Sequence, residues 1–201
     1  MFKSCHREIA RIEGDIISIM ENLNDLIKSA NLRAEQLYAG EGVEVVGMND
    51  AKTVDVSQIH EKQILVTAGV NGCTVVAALA KYADGKMLAH MSHFDPHSIS
   101  LQQIELSRLT QQELLEPIVL KIITRGDYVK MNERWILVPQ KQSEVDMLTA
   151  AAGNEAKIEV SAYSENLEHG EIREARFLLT PGPDGKIDAR VRWWGGTERF
   201  S

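Results

Sequence analysis

The chain has 201 residues, the length of one ordinary domain or of one domain with an appendage. With 44% hydrophobic and 25% charged residues, its composition excludes a disordered or fibrous protein. The net charge of −7 argues against nucleic acid as a partner, because proteins that bind it present a basic face. Two cysteines, Cys5 and Cys73, are too few for a disulfide framework, so a reducing compartment such as the cytoplasm is expected.

Residues 1–39 are predicted to form an amphipathic N-terminal helix. Apolar side chains recur in alternating steps of three and four from Ile9 to Leu37, which is a helical stripe close to a heptad. Arg33 occupies one of the expected apolar positions. So large an apolar surface must be covered, and we expect the helix to pack against its own domain. A homodimer through this helix is the alternative.

Residues 40–201 are predicted to form one α+β domain. Segments rich in β-branched residues predict strands at 43–48, 63–70, 87–94, 118–124, 134–139, 156–163, 174–180 and 186–194. Helices are expected from Ser98 or Ser100 to Leu109, briefly after Thr110, and from Ser143 to Gly153. Many strands with few helices indicate mixed or antiparallel sheets with a β-sandwich-like core, flanked by helices and preceded by the long N-terminal helix.

The uncharged stretch 64–80 is predicted to be buried strand and not a membrane span. It is slightly short for a span and contains glycine and polar residues. Its second part, residues 73–82, fits a strand or a helix by composition, since its valines favour one and its alanines the other. Gly85 after it indicates a hairpin turn, which leads into the predicted strand 87–94.

Cys73 is the first candidate for chemistry. It ends a turn that contains Gly69 and Gly72, where the backbone is free to approach a ligand closely. The backbone N–H groups of Gly72 and Cys73 at such a turn favour a thiolate and are suited to hold an oxyanion. The alternative is an inert, buried thiol that acts as a small hydrophobe.

The histidine that would serve this thiol depends on the register of the predicted hairpin between residues 73–82 and 87–94. One register places His90 opposite Cys73, and a four-residue loop would keep both on one face. Another register places His93 opposite Cys73. A cysteine and a histidine on adjacent strands form the minimal pair of nucleophile and base, so we predict that one of these histidines meets the thiol. A core histidine is the alternative for His90.

These residues resemble the motifs of cysteine protein deamidases. Thr67 in "TAGVNGC" and the histidine of "MLAH", 17 residues after Cys73, are similar to the chemoreceptor glutamine deamidases (CheD). The "NGC" segment also resembles the "SGC" of the cytotoxic necrotizing factor toxins and related effectors, and the protein N-terminal asparagine amidohydrolases have a comparable cysteine strand. The resemblance spans roughly residues 64–96.

The resemblance implies a role for each matched residue. By this resemblance Cys73 is the nucleophile, His90 the general base and Thr67 the residue that orients the histidine. The family's base is followed by phenylalanine, and here "HF" occurs three residues later, at His93. His93 therefore stays as the alternative base.

The predicted function is a cysteine-dependent amidohydrolase that deamidates a glutamine, or less favourably an asparagine, of a protein substrate. The chemistry requires no cofactor, and no membrane partner is expected. Since some relatives in the resemblance are bacterial effectors or toxins, delivery into a host cell cytosol is the alternative to a cytoplasmic location. A non-catalytic interaction module on the same fold is the alternative to an enzyme.

The histidine-rich segment is a candidate for a metal site. His90, His93, His97 and Asp95 lie within eight residues, and imidazoles suit zinc. Strand alternation directs His90 and His93 to opposite faces, so no metal site is predicted. The sequence also has no glycine-rich phosphate loop, which argues against a nucleotide cofactor.

Overall fold

The computed structural model describes residues 2–132, 134–140, 142–164, 173–182, 186–193 and 196–199. The elements in chain order are α1 (Phe2–Tyr38), β1 (Val43–Val45), β2 (Asp50–Asp55), β3 (Gln63–Ala68), β4 (Thr74–Lys81), β5 (Met87–Phe94), α2 (Ile99–Leu109), β6 (Val119–Met131), β7 (Arg134–Pro139), α3 (Gln142–Ala152), β8 (Lys157–Tyr163), β9 (Glu174–Pro181), β10 (Ile187–Trp193) and β11 (Gly196–Arg199).

The strands form two sheets, as the predicted α+β fold with a sandwich-like core requires. The first sheet has the order β1-β3-β9-β10-β11, and the second has the order β2-β5-β4-β6-β7. Strand β8 adds to the second sheet by pairing in parallel with the first half of β6, whose second half pairs with β7. The mixed sheets and the long N-terminal helix confirm the predicted fold class.

Strands β4 and β5 have an apolar layer on each of their two faces. Val75, Ala77 and Leu79 belong to the core between the sheets. The alternate residues, among them Val76 and Ala78, belong to a second core under α2 and α3. A strand buried on both faces reads as a nearly continuous apolar run, which is why the composition of residues 73–82 did not separate strand from helix.

Some predicted elements differ from those of the structure. Strands β2 and β11 were not predicted, and no helix follows Thr110, where Leu114 instead forms an isolated bridge with Tyr82. The predicted strand at 186–194 is confirmed through Trp193, and its last residue lies outside the described part of the chain. Ser98 is the N-cap position of α2, although its side chain makes no capping hydrogen bond.

Helix α1 contacts the domain through a face other than the predicted stripe. The less exposed positions on its C-terminal half are Ile27, Asn31, Ala34 and Tyr38. The Asn31 side chain accepts a hydrogen bond from the Met48 amide at 2.8 Å, and the Arg176 guanidinium lies over the Tyr38 ring at 5.6 Å.

Among the side chains that the structure describes, the heptad-like stripe of α1 remains in solvent. Ile16, Leu23, Leu26 and Leu37 are between 51% and 68% exposed. The expectation that the domain covers this stripe is therefore wrong. The docked face is a neighbouring row, about a quarter turn around the helix from the stripe, because positions spaced by three and four residues can form more than one such row. Homodimerisation through the stripe stays a prediction.

Candidate active site

The register of the β4–β5 hairpin decides which side chains meet at its open end. Thr74 pairs with Phe94, and Ala78 pairs with His90. The hairpin closes where the Tyr82 amide donates to the Lys86 carbonyl at 2.8 Å, which leaves a three-residue turn with Gly85 at φ 88°. A left-handed glycine at the end of such a turn is the usual geometry for this loop length.

This register differs from those considered from the sequence. Continued by one residue, the ladder places Asp95 opposite Cys73, and neither His90 nor His93 takes that position. His93 of β5 is two residues before Asp95. Because side chains alternate along a strand, His93 is on the same face of the hairpin as Cys73. Diagonal neighbours in such a pair are about 7–8 Å apart, within reach of a long side chain.

His90 lies on the opposite face of β5 from His93. The expectation that a four-residue loop keeps His90 on the face of Cys73 is therefore wrong, because the turn contains one residue fewer. The other histidine of the sequence analysis, His93, is the one that shares the face with the thiol. The prediction from strand alternation, that the two histidines point to opposite faces, is confirmed.

Thr67 and His93 form a polar pair inside the core between the two sheets. Thr67 Oγ1 and His93 Nδ1 are 2.7 Å apart, and both residues are completely buried. Thr67 comes from β3 in the first sheet and His93 from β5 in the second, so the bond joins the two layers. Within the described part of the chain, His93 Nε2 has no hydrogen-bond partner. The resemblance implied that Thr67 orients His90 as the base, whereas in the structure the Thr67 hydroxyl contacts the alternative base, His93.

A second threonine–histidine pair lies on the other side of β5. Thr53 Oγ1 and His90 Nδ1 are 2.9 Å apart, and the two residues are direct cross-strand neighbours of β2 and β5. His90 is completely buried, whereas Thr53 is exposed. The bond therefore lies within one sheet and joins no second layer.

The turn that carries Cys73 is held at both ends. The Val70 amide donates to the Arg173 carbonyl at 3.3 Å, and the Tyr163 hydroxyl donates to the Cys73 carbonyl at 2.7 Å. Gly69 and Gly72 both have positive φ, near 72° and 75°, a backbone conformation that favours glycine. This conformation agrees with the backbone freedom predicted for these two glycines.

Burial sets the charge states of the candidate pair. Burial and the nearby Asp95 carboxylate raise the pKa of the Cys73 thiol to about 11. Burial lowers the pKa of His93 to about 4, and Asp95 partly opposes that change. The resting site therefore holds a neutral thiol and a neutral imidazole. This differs from the expectation that the turn favours a thiolate, because the thiol is only 3% exposed.

Asp95 was named in the sequence analysis only as a metal-ligand candidate, yet it lies at the centre of a polar cluster beside Cys73. Its carboxylate accepts hydrogen bonds from the Asn49 side chain at 2.6 Å and from the His97 amide at 2.7 Å. The Asn49 amide in turn donates to the His93 carbonyl at 2.7 Å. These bonds lower the pKa of Asp95, whose partial burial opposes them. Asn49 itself has φ 58°, and no sequence motif indicated its role.

In the described ranges of the chain, no three His, Cys, Asp or Glu side chains are grouped so as to hold a metal ion. Among the helices in the same ranges, none is long and apolar enough to cross a membrane.

Comparisons with known proteins add a distant structural likeness. No family model matches the chain, and no curated protein matches it in sequence. A solved structure similar to this chain is the C-terminal domain of CNFy from Yersinia pseudotuberculosis, with a TM-score of 0.42 and 10% sequence identity. The match covers 81% of this chain and 62% of that one. At this identity and TM-score the likeness assigns neither an activity nor a residue.

Proposed function

We propose that this protein is a cysteine-dependent amidohydrolase that deamidates a glutamine side chain of a protein substrate. One observation carries the proposal: a buried Thr67 hydroxyl orients the ring of His93 on the face of β5 that Cys73 shares. Nucleophilic catalysis requires an oriented base within reach of the nucleophile, and a shared face is the first part of that arrangement. In the structure the Cys73 thiol donates to the Asn71 carbonyl at 3.7 Å, so the ring and the thiol must approach when substrate binds. The choice of reaction follows the resemblance of the segment from Thr67 to Cys73 to the deamidases, although the histidine proposed as the base is His93 and not His90, which matched their spacing.

The proposed roles follow from the hydrogen bond to Nδ1. When Nδ1–H donates to Thr67 Oγ1, the lone pair of His93 lies on Nε2, which is then free to act as a base. Cys73 Sγ attacks the carboxamide carbon while His93 Nε2 takes the thiol proton. The same proton passes to the nitrogen that leaves as ammonia, and a thioester remains. His93 then accepts a proton from water, which attacks the thioester and releases a glutamate side chain and the thiol.

The neutral resting state opposes transfer of the thiol proton to His93, so the proposed steps require that transfer to occur together with attack on the substrate. With a thiol pKa of about 11 and an imidazole pKa of about 4, no ion pair forms before the substrate arrives. Proton transfer accompanies attack on the carboxamide, whose developing oxyanion needs donors of its own. We assign these donors to the backbone N–H groups of Gly72 and Cys73. The proposed location is the cytoplasm, or a host cytosol if the protein is delivered as an effector.

A second candidate function rests on the same burial. A completely neutral, 3% exposed thiol is also what an inert core cysteine presents. On that alternative the domain is a non-catalytic interaction module, and its partner surface lies elsewhere. Loss of a measured activity on removal of the thiol separates the two functions.

The test is a pair of cysteine variants. Cys73→Ser is expected to abolish deamidation while the protein stays folded, because an alcohol is a far weaker nucleophile than a thiol at neutral pH. Cys5→Ser is the matched control and is expected to keep full activity. The measurements are ammonia release and the mass gain of deamidated glutamine in a protein mixture incubated with each variant. Equal activity of the wild-type chain and Cys73→Ser would exclude the proposed nucleophile.

A further inference from the structure

A carboxylate lies beside the proposed nucleophile and has no role in the steps described above. The register of the β4–β5 hairpin, continued by one residue, places Asp95 opposite Cys73. Side chains directly opposite each other on such a pair have Cβ atoms about 4.5–5.5 Å apart. After burial, the Asp95 charge is the second cause that raises the pKa of the Cys73 thiol, and it opposes the burial that lowers the pKa of His93. Asp95 therefore acts on both members of the candidate pair.

The charge of Asp95 works against the nucleophile. A negative charge next to a thiol disfavours the thiolate, which is the reactive form. Among the ion pairs of the described residues, none includes Asp95, so no paired cation cancels this charge. The bond to the His97 amide would be made equally by the side-chain oxygen of an asparagine, so the turn before α2 does not by itself require a carboxylate. A group bound by the thiol would give the charge a purpose.

One acceptor position of this carboxylate is open. Within the described residues its oxygens accept three hydrogen bonds, from Asn49 Nδ2 at 2.6 Å, from the His97 amide at 2.7 Å and from Ser98 Oγ at 3.2 Å. An ionised carboxylate has about four acceptor positions. Because Asp95 is only half-buried, a donor on a bound molecule can reach the remaining one.

A substrate carboxamide and a product carboxylate differ in what they offer to this position. The carboxamide nitrogen of glutamine carries two N–H donors, whereas the carboxylate of glutamate has none and is negatively charged at neutral pH. We propose that Asp95 is a specificity residue, which accepts a hydrogen bond from the carboxamide nitrogen and repels the carboxylate that remains after ammonia leaves. This role rests on the proposed function. It favours the binding of substrate over the binding of product at one and the same thiol.

The test compares two small alkylating reagents that differ in the same way as substrate and product. Iodoacetamide carries a carboxamide and iodoacetate a carboxylate, and each forms an S–C bond with the thiol as iodide leaves. The ratio of their rates cancels the fraction of thiolate and the access to the buried thiol, because both reagents share them. The protein is full-length Cys5→Ser, in which Cys73 is the only thiol, and the same chain unfolded in urea gives the intrinsic ratio. Relative to that ratio, the folded chain is expected to prefer iodoacetamide about tenfold.

Two further substitutions assign this preference to one carboxylate. Asp95→Asn is expected to bring the ratio of the folded chain close to that of the unfolded chain, because the charge is removed while an oxygen remains for the His97 amide. Asp84→Asn is the matched control, since it removes the same charge at the other end of the hairpin, where Asp84 is exposed, and it is expected to keep the ratio. Urea unfolding checks that each variant is folded. The ratio of the chain with Asp95 intact tests the proposal even if Asp95→Asn does not fold.

Equal ratios in the folded and unfolded chains would overturn the proposal, as would equal effects of Asp95→Asn and Asp84→Asn. A folded chain in which neither reagent modifies Cys73 would also overturn it, because such a thiol is the inert core cysteine of the second candidate function. The proposed function is tested separately, by ammonia release from the wild-type chain and Cys73→Ser. Ammonia release with equal ratios would keep the deamidase and reject the role of Asp95. A preference that Asp95→Asn removes, without ammonia release, would reject the deamidase while the selection of neutral groups by Asp95 stands.

Discussion

The two threonine–histidine pairs of β5 differ in what surrounds them, although their bonds are nearly alike. Thr67 and His93 are both completely buried between the sheets, with 2.7 Å between Oγ1 and Nδ1. Thr53 and His90 are bonded at 2.9 Å, but Thr53 is exposed at the side of the second sheet. The comparison shows that an oriented histidine is not in itself a site. Its position relative to a nucleophile distinguishes the pair that we assign to catalysis from the pair that we assign to structure.

The largest expected contrast is between the two histidines. His93→Ala is expected to reduce the deamidation rate by roughly 10²–10⁴-fold, the contribution of a general base. His90→Ala is expected to keep most of the activity, because its ring is on the other face of the sheet. Both variants should be checked for native circular dichroism, and kcat compared on one substrate. A greater loss in His90→Ala would reverse the assignment and require another hairpin register in solution.

A smaller contrast is expected between the two threonines. Thr67→Val keeps the shape of the side chain but removes the partner of His93 Nδ1, and activity should fall about tenfold, the equivalent of one net hydrogen bond. Thr53→Val should change activity little. Unfolding in urea should show a loss of about 1–3 kcal/mol for Thr67→Val, because its partner atom is left buried without a bond. Equal effects of both substitutions on kcat would argue that neither hydroxyl orients a catalytic group.

In acid stability the two pairs are expected to behave alike. Burial lowers the pKa of both histidines to about 4, whereas an unfolded histidine binds a proton near pH 6.5. The unfolded chain therefore holds more protons between these values, and the free energy of unfolding falls as the pH is lowered from about 6.5 to 4. Each histidine contributes about 3 kcal/mol to this loss at the acidic end.

Urea unfolding across that pH range measures the effect. His90→Ala and His93→Ala should each show a shallower pH dependence than the wild-type chain, by similar amounts. If only one of them does so, the other histidine is hydrated or partnered in solution. That result would separate the two pairs in stability as well as in activity.

The sequence predicted the strands and helices better than the relation between them. The β-branched segments of β3, β5 and β9 were recognised from composition, and the heptad-like spacing identified α1. Cys73 and Thr67 were selected by their motif, yet the choice between His90 and His93 required the register. That register depends on one residue in the turn, and the apolar patterns on both faces of β4 do not specify it. Asn49 and Asp95 could not be assigned to the site because strand β2, which Asn49 precedes, carries only a weak strand pattern.

The face of α1 that contacts the domain could not be predicted from the sequence for a related reason. A helix with several apolar rows leaves open which row meets the domain, and only the position of Met48 and Arg176 in three dimensions decides it. The sequence identified the stripe correctly as a surface that needs a partner. The prediction that the domain is this partner was wrong for the described part of the stripe, since the domain contacts the adjacent row of Ile27, Asn31, Ala34 and Tyr38.

The turn of Ala83, Asp84 and Gly85 has a consequence for how this protein can evolve. Both faces of β4 and β5 pack against apolar layers. Shifting one strand by a single residue would therefore move its side chains from each face to the other, and both sets would stay buried. One codon inserted at the far end of the hairpin would thus be enough to turn His90 toward the face of Cys73 and His93 away from it. His90 would then take the present position of Met91, opposite Ala77 and two residues farther from Cys73 than His93 is now, so the insertion would remove the base from the thiol instead of replacing it.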